Sequence, residues 1–249
     1  MKTRAIKYLK RLAAVVLFAP ALALASGGLH LDKAPVSTEQ KNLQNGAKLF
    51  VTNCLNCHGA SSVRYNTLKQ IGFTEKEITD NLILNGGKVG DLMTVAMTRA
   101  DAEAWFGTAP PDLSLIARAK ASESGSGADY LYTYLRGFYS DPARPTGWNN
   151  TAFPNVGMPH ALWDLQGIQT LQEVEENGHK INKLVLTTPG SRSAAEYDQD
   201  VADIVSFMVW MGEPSAGTRK QIGIYVLIFL AVLYVLTHKL GKTYWKDIH

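Results

Sequence analysis

Cys54-Leu55-Asn56-Cys57-His58 is the stretch from which the rest of this 249-residue chain is read. Side chains at i, i+3 and i+4 are neighbours on a helical turn, so two thiols and an imidazole share one face there. That set suits a haem: the thiols form thioethers to its vinyl groups and the imidazole stands beneath the iron as proximal ligand. Other readings of a Cys-x-x-Cys pair lack support. Structural zinc takes four ligands, and the chain has only these two cysteines. A dithiol redox pair opens a helix after a strand, whereas the residues before Cys54 carry helical spacing.

Upstream, Ser37 or Thr38 is placed to cap a helix on which Leu43, Ala47, Phe50 and Val51 recur toward the motif. Gly46, on the same helix, permits close approach of a second one. In small haem proteins of this sort the partner is the last helix of the domain, here read from Tyr197 to Met211. Val201, Ile204, Val205, Met208 and Met211 line one face of it, Asp198, Asp200 and Asp203 enrich its first turns, and Gly212 and Pro214 end it. Between the two, Asn85-Gly86-Gly87, Ser122 to Gly127 and Asp141 to Gly157 are turn-rich. The expected fold is mainly α with long loops, in which a large apolar haem supplies core that the regular elements lack.

An electron-carrying haem of this type takes a sixth ligand, and a thioether favours the ferrous state. Met208 and Met211 fit core packing on the last helix, and Met93 and Met97, four apart, also read as packing residues. Met158 stands apart, in Phe153-Pro154-Asn155-Val156-Gly157-Met158-Pro159, too broken for helix or strand. Pro159 holds Met158 extended and Gly157 allows close approach, which suits a strap delivering a side chain to iron. His30, His160 and His179 are the histidine alternatives. Pro110-Pro111-Asp112-Leu113-Ser114 is a second rigid stretch that can wall a haem edge, and Arg118 after it has the planar fork that matches a propionate.

At the N-terminus, Lys2, Arg4, Lys7, Lys10 and Arg11 precede an apolar run from Leu12 to Ala25 that closes on Ala23-Leu24-Ala25. Residues 1–25 read as a cleaved secretory signal peptide, and residues 26–218 as the exported body. The leader holds five of the 25 basic residues and none of the 22 acidic ones, leaving the remainder near −2. No basic, aromatic-interleaved patch remains for nucleic acid. At the other end, the uncharged run Ile222 to Thr237 is flanked by Arg219 and Lys220 on one side and Lys239 and Lys242 on the other. With Tyr225, Tyr234, Tyr244 and Trp245 suited to the interfaces, residues 219–241 read as one transmembrane anchor, leaving residues 242–249 as a cytoplasmic tail.

Taken in order, the leader, Cys54-Leu55-Asn56-Cys57-His58, Pro110-Pro111-Asp112-Leu113-Ser114, Gly127-Ala128-Asp129-Tyr130, Gly157-Met158-Pro159, Trp210 to Pro214, Arg219-Lys220 and the closing span resemble the cytochrome c1 family. The resemblance implies a cytochrome c-like haem domain with one haem c bound through Cys54 and Cys57, and His58 and Met158 as axial ligands. It also implies that Pro111 and Tyr130 lie near the haem, with Arg118 by a propionate. The implied role is that of a redox subunit of a quinol:cytochrome c oxidoreductase, with no substrate-transforming site of its own. It would stand beside cytochrome b in a dimeric complex of a bacterial inner membrane, body on the periplasmic side. One electron would arrive from a Rieske iron-sulfur protein and leave to a c-type cytochrome. A free-standing tethered cytochrome, or the cytochrome subunit of a terminal oxidase, is the alternative. Glu173, Glu175 and Glu176 are candidates for steering a basic partner.

Overall fold

The computed structural model describes residues 29–176 and 179–247; the expected signal peptide lies outside the described residues. In chain order the elements are α1 (Gln40–Asn53), β1 (Ala60–Arg64), a 3-10 helix (Tyr65–Ile71), α2 (Glu75–Asn81), β2 (Leu92–Met93), α3 (Arg99–Phe106), α4 (Ile116–Ala119), α5 (Gly127–Arg136), β3 (Phe138–Ser140), β4 (Trp148–Asn150), α6 (Trp163–Gln166), β5 (Gly167–Glu176), β6 (His179–Pro189), α7 (Ala194–Gly212) and α8 (Ala216–Tyr244). The fold is mainly α, as the periodicity predicts.

The body is built on the crossing of α1 and α7. Leu43, Ala47, Phe50 and Val51 are buried on one face of α1, and Val201, Ile204, Val205 and Phe207 on α7. A Cβ on Gly46 would lie 2.0 Å from the Asp203 carbonyl oxygen, so only glycine lets the two backbones come this close. Phe50 and Phe207 then meet with ring centroids 5.4 Å apart. Each of these fully buried side chains contributes roughly 2–3 kcal/mol of apolar transfer. Met208 and Met211 are core residues, as expected.

Two details of these helices differ from the sequence reading. At the start of α1 the capping position is Glu39, which makes no side-chain cap; the Ser37 hydroxyl accepts from the Glu39 N–H at 3.1 Å, and the Ser37 N–H donates to Ser206 Oγ, tying the chain to α7. On α7 the helix begins at Ala194, with Ser193 and Glu196 forming a reciprocal capping box. Asp200 and Asp203 therefore lie too far in to serve the helix dipole. Both are buried, and Asp203 accepts from Asn42 Nδ2 at 2.6 Å and Asn45 Nδ2 at 2.8 Å, latching α1 to α7.

Between the two helices α5 is seated on α4, where a Cβ on Gly127 would meet the Ala117 carbonyl oxygen at 2.0 Å. Tyr197 of α7 donates to the Leu135 carbonyl at 2.8 Å, joining α5 to the frame. The β5–β6 hairpin, antiparallel from Gly167 opposite Pro189 to Glu176 opposite His179, is an addition to the expected long loops. Glu173 and Glu175 stand exposed on its first strand.

Helix α8, of 29 residues, rises about 43 Å, enough to cross a hydrocarbon layer of about 30 Å. Its most apolar 18-residue stretch has a mean hydropathy of 2.0, and its large apolar side chains are exposed along the whole length. This is the anchor expected at residues 219–241, extended by about a turn at each end.

Candidate haem site

The motif is the continuation of α1. Cys54 N–H and Leu55 N–H both donate to the Phe50 carbonyl, at 2.9 and 3.1 Å, and Cys57 and His58 donate to the Cys54 carbonyl at 3.1 and 2.9 Å. Backbone turns alone thus set the spacing of the three functional side chains. The two thiols are unbridged, Cys54 half-buried and Cys57 exposed. Burial first, and then the neighbouring Cys57, pushes the Cys54 thiol up to about 12. A disulfide-exchanging cysteine needs a stable thiolate, so Cys54 has the opposite environment to that of a redox pair.

His58 is held by the proline stretch. Its Nδ1 lies 2.7 Å from the Pro111 carbonyl, and an acceptor there makes Nδ1 the protonated nitrogen. Burial, the dominant influence, lowers the His58 pKa against the opposing pull of the Pro111 bond and Asp112. A neutral imidazole in this tautomer offers Nε2 to a metal, and the carbonyl fixes the ring's direction. Pro111 itself is placed by a short run of bonds between the segments that carry it and the motif. Leu113 N–H donates to the Gly59 carbonyl at 2.7 Å, Ser61 donates through N–H and Oγ to Asp112 Oδ2 at 2.7 Å each, and Ser62 N–H donates to Ser114 Oγ at 3.0 Å. A cavity of about 300 Å³ adjoins Cys57 on this side; Met97 and Arg99 are among its walls, while Met93 is core.

Met158 is half-buried in the broken loop the sequence indicates. What holds this loop is a pair of asparagines that sequence reading passed over. Asn150 Oδ1 accepts from the N–H groups of Ala152 and Phe153, at 2.9 and 3.1 Å, while its Nδ2 donates to the Tyr134 carbonyl at 2.7 Å. Asn149 Oδ1 accepts from Asn155 N–H at 2.8 Å, and Asn155 takes a left-handed conformation, φ 63°, that asparagine tolerates. Tyr134 donates its hydroxyl to the Met158 sulfur at 3.4 Å. Burial, with the adjacent Tyr130, raises the Tyr134 phenol, so it stays protonated.

Of the histidine alternatives, His160 has partners of its own. His160 is 3 % exposed, with Nε2 2.7 Å from Gln166 Oε1 and its ring stacked on Phe138 at 4.8 Å and edge-on to Trp148 at 5.1 Å. Burial above all, against the Gln166 bond and Asp164, lowers its pKa to about 4. It is a packing residue that pins the end of the Met158 loop. His30 is exposed, and the side chain of His179 is outside the described residues. Tyr130 stacks on Tyr134 with centroids 5.9 Å apart, and the Lys120 ammonium lies 5.1 Å from the Tyr130 ring. Arg118 is exposed and pairs with Glu213, the carboxylate that also holds Arg219 at the start of α8.

The donor set fits a haem. Two unbridged thiols precede an imidazole whose tautomer leaves Nε2 for a metal, and Met158, on a separately anchored loop, carries a thioether of the kind such a haem takes. With one membrane-length helix beyond this body, the class is that of a membrane-anchored c-type cytochrome.

The comparisons narrow the class. The Cytochrome C1 family matches residues 30–248. A cytochrome c1 of Allochromatium vinosum is 45% identical over 247 residues, covering 96% of this chain and 98% of that one. A cytochrome c1 of Rhodospirillum rubrum is 32% identical over 84% and 83% of the two chains. A protein named ammonia monooxygenase gamma subunit, from Nitrosomonas europaea, is 48% identical over 98% of this chain and 100% of its own length. The chain belongs to the cytochrome c1 family. Members are haem c electron-transfer subunits of the cytochrome bc1 complex, and that is this chain's general role.

Proposed function

We propose that this chain binds one haem c through thioethers at Cys54 and Cys57, with His58 and Met158 as axial ligands, and relays single electrons from a Rieske iron-sulfur protein to a c-type cytochrome. The observation that carries the reading is the Nδ1 bond of His58 to the Pro111 carbonyl, which reserves Nε2 for a metal. Bound haem c supplies a one-electron acceptor and donor, and no substrate bond is made or broken in this subunit. The protein's own part is to orient and to shield. Pro111 aims His58, Tyr130 packs near the group, and Arg118, anchored by Glu213, keeps further N–H donors for a propionate.

In this reading the leader exports residues 26–218 to the periplasmic side of a bacterial inner membrane. Residues 219–241 cross the membrane and residues 242–249 remain in the cytoplasm. Cytochrome b, holding the quinol site, is the neighbour within a dimeric complex. Exposed Glu173 and Glu175 on the hairpin favour a basic electron acceptor.

The test is gentle detergent purification of the tagged chain with reduced-minus-oxidised spectra of what accompanies it. A c-type band with b-type haem and quinol-dependent reduction of added cytochrome c is the expected result. A lone c-type band without quinol activity, under conditions in which a known bc1 complex survives, would replace the reading with a free-standing tethered cytochrome. The 48%-identical relative bears the name of an ammonia monooxygenase subunit, so co-purification with a monooxygenase instead of cytochrome b is the second reading that the same experiment tests.

A further inference from the structure

We infer that the Tyr134 hydroxyl sets the redox poise of the haem by donating a hydrogen bond to the Met158 sulfur, a role that rests on Met158 being an axial ligand.

The direction of the bond is fixed by chemistry. A thioether carries no hydrogen, so in the 3.4 Å contact the phenol is the donor and sulfur the acceptor. Its geometry is fixed from both ends. The Tyr134 ring lies nearly parallel to Tyr130, at 13° and 5.9 Å, and edge-on to Phe138, at 72° and 5.1 Å, which leaves it little freedom to rotate away. The loop that delivers Met158 is anchored by Asn150, and the same Asn150 side chain donates to the Tyr134 carbonyl at 2.7 Å. One asparagine therefore ties donor and acceptor to a common point.

The consequence follows from where sulfur's electrons go. A proton donor at the lone pairs draws density from sulfur, which then gives less to iron. Ferric iron depends on that donation more than ferrous iron does, so the bond favours the reduced state and raises the potential. Hydrogen bonding around an axial ligand is one of the few levers a protein has on a haem whose ligands are already chosen.

The experiment is a spectroelectrochemical titration of the haem-loaded chain as wild type, Tyr134→Phe and Tyr132→Phe. Tyr134→Phe keeps both ring contacts and removes only the hydroxyl. Tyr132 is on the same helix with its ring against Arg136, 4.5 Å away, and serves as the control phenol. The expected result is retention of the far-red sulfur-to-iron absorption band in all three ferric proteins. At a fixed solution potential the ferrous-to-ferric ratio falls about twofold in Tyr134→Phe alone, since the bond exists in both oxidation states and only the difference in its strength, a fraction of one ordinary hydrogen bond, shifts the ratio. An unchanged ratio with the band intact overturns the inference. Loss of the band in Tyr134→Phe overturns it too, since the phenol would then be holding the ligand in place. Absence of the band from the wild type overturns the assignment of Met158 itself, a failure distinguishable from the other two.

Discussion

The two sides of the site are built by different means. On the His58 side the motif turns and the imidazole are set by backbone carbonyls, with the Asp112 and Ser114 side chains helping to hold the proline segment. α1 runs into the motif through successive carbonyl bonds, and Pro111 arrives on a segment stitched to residues 59–62 within a few ångströms of it. The Met158 side rests on side chains. Asn149 and Asn150 hold the loop, Tyr134 touches the sulfur, and His160 in its aromatic slot closes the far end. Backbone construction resists substitution, because every residue type carries the same amide. Side-chain construction can be altered one residue at a time, so the methionine side is where the properties of this haem are open to adjustment.

Replacing Cys57 by alanine should break the comparison most completely. One of the two thioethers is lost, and haem staining on a denaturing gel should drop severely, whereas Met158→Ala should leave that staining intact and abolish the far-red band. Gly46→Ala should come next. The added Cβ would meet the Asp203 carbonyl at 2.0 Å, and forcing α1 from α7 should cost about 3 kcal/mol in denaturant unfolding. Asn150→Ala should be milder, about 2 kcal/mol for three bonds partly replaced by water, and should weaken the far-red band while covalent haem is retained. Equal damage to both sides of the haem would contradict the division drawn above.

The smallest effect should be one that vanishes in acid. Burial pushes the Asp129 carboxyl up, but bonds from Ala34 N–H, the Lys33 ammonium and Ser126 outweigh it and hold the group at about 2. A depressed carboxyl contributes stability that is present above its unfolded value near 4 and lost as pH falls toward 2. Asp129 caps α5, the helix carrying Tyr130 and Tyr134. The stability gap between wild type and Asp129→Asn should be steady from pH 7 to about 5 and close between roughly pH 4 and 2, by denaturant titration at each pH.

What was legible in the sequence follows the same division. The helices α1 and α7, the broken Met158 segment and the membrane helix are local patterns, and each is found where residue spacing puts it, while the meeting of α1 and α7 at Gly46 was expected from small haem proteins of this sort. The start of α1 was read from Ser37 and Thr38 because hydroxyls commonly cap helices, yet the Ser37 hydroxyl bonds the Glu39 N–H, one residue before the helix, and Ser206, 169 residues away, holds the Ser37 N–H. Asp200 and Asp203 looked like dipole residues because a sequence does not show that Asn42 and Asn45 will face them. The β5–β6 hairpin did carry a local signal, since Asn177-Gly178 is a favoured turn dipeptide between strand-length runs. Its mixed faces, with Leu171 opposite Leu184 but Gln172 opposite Lys183, obscured the alternation. Asn149 and Asn150 were hidden for a different reason: an asparagine in a loop reads as solvent-facing until the amides it serves are known.

The junction between body and membrane has a mechanical meaning. Only Glu213, Pro214 and Ser215 separate α7 from α8, a reach of at most about 10 Å, and Glu213 grips Arg118 of the body and Arg219 of the membrane helix together. A linker so short and so clamped is a bracket, with no leash to swing on. The body is thereby kept close to the end of the membrane helix, with little slack between them.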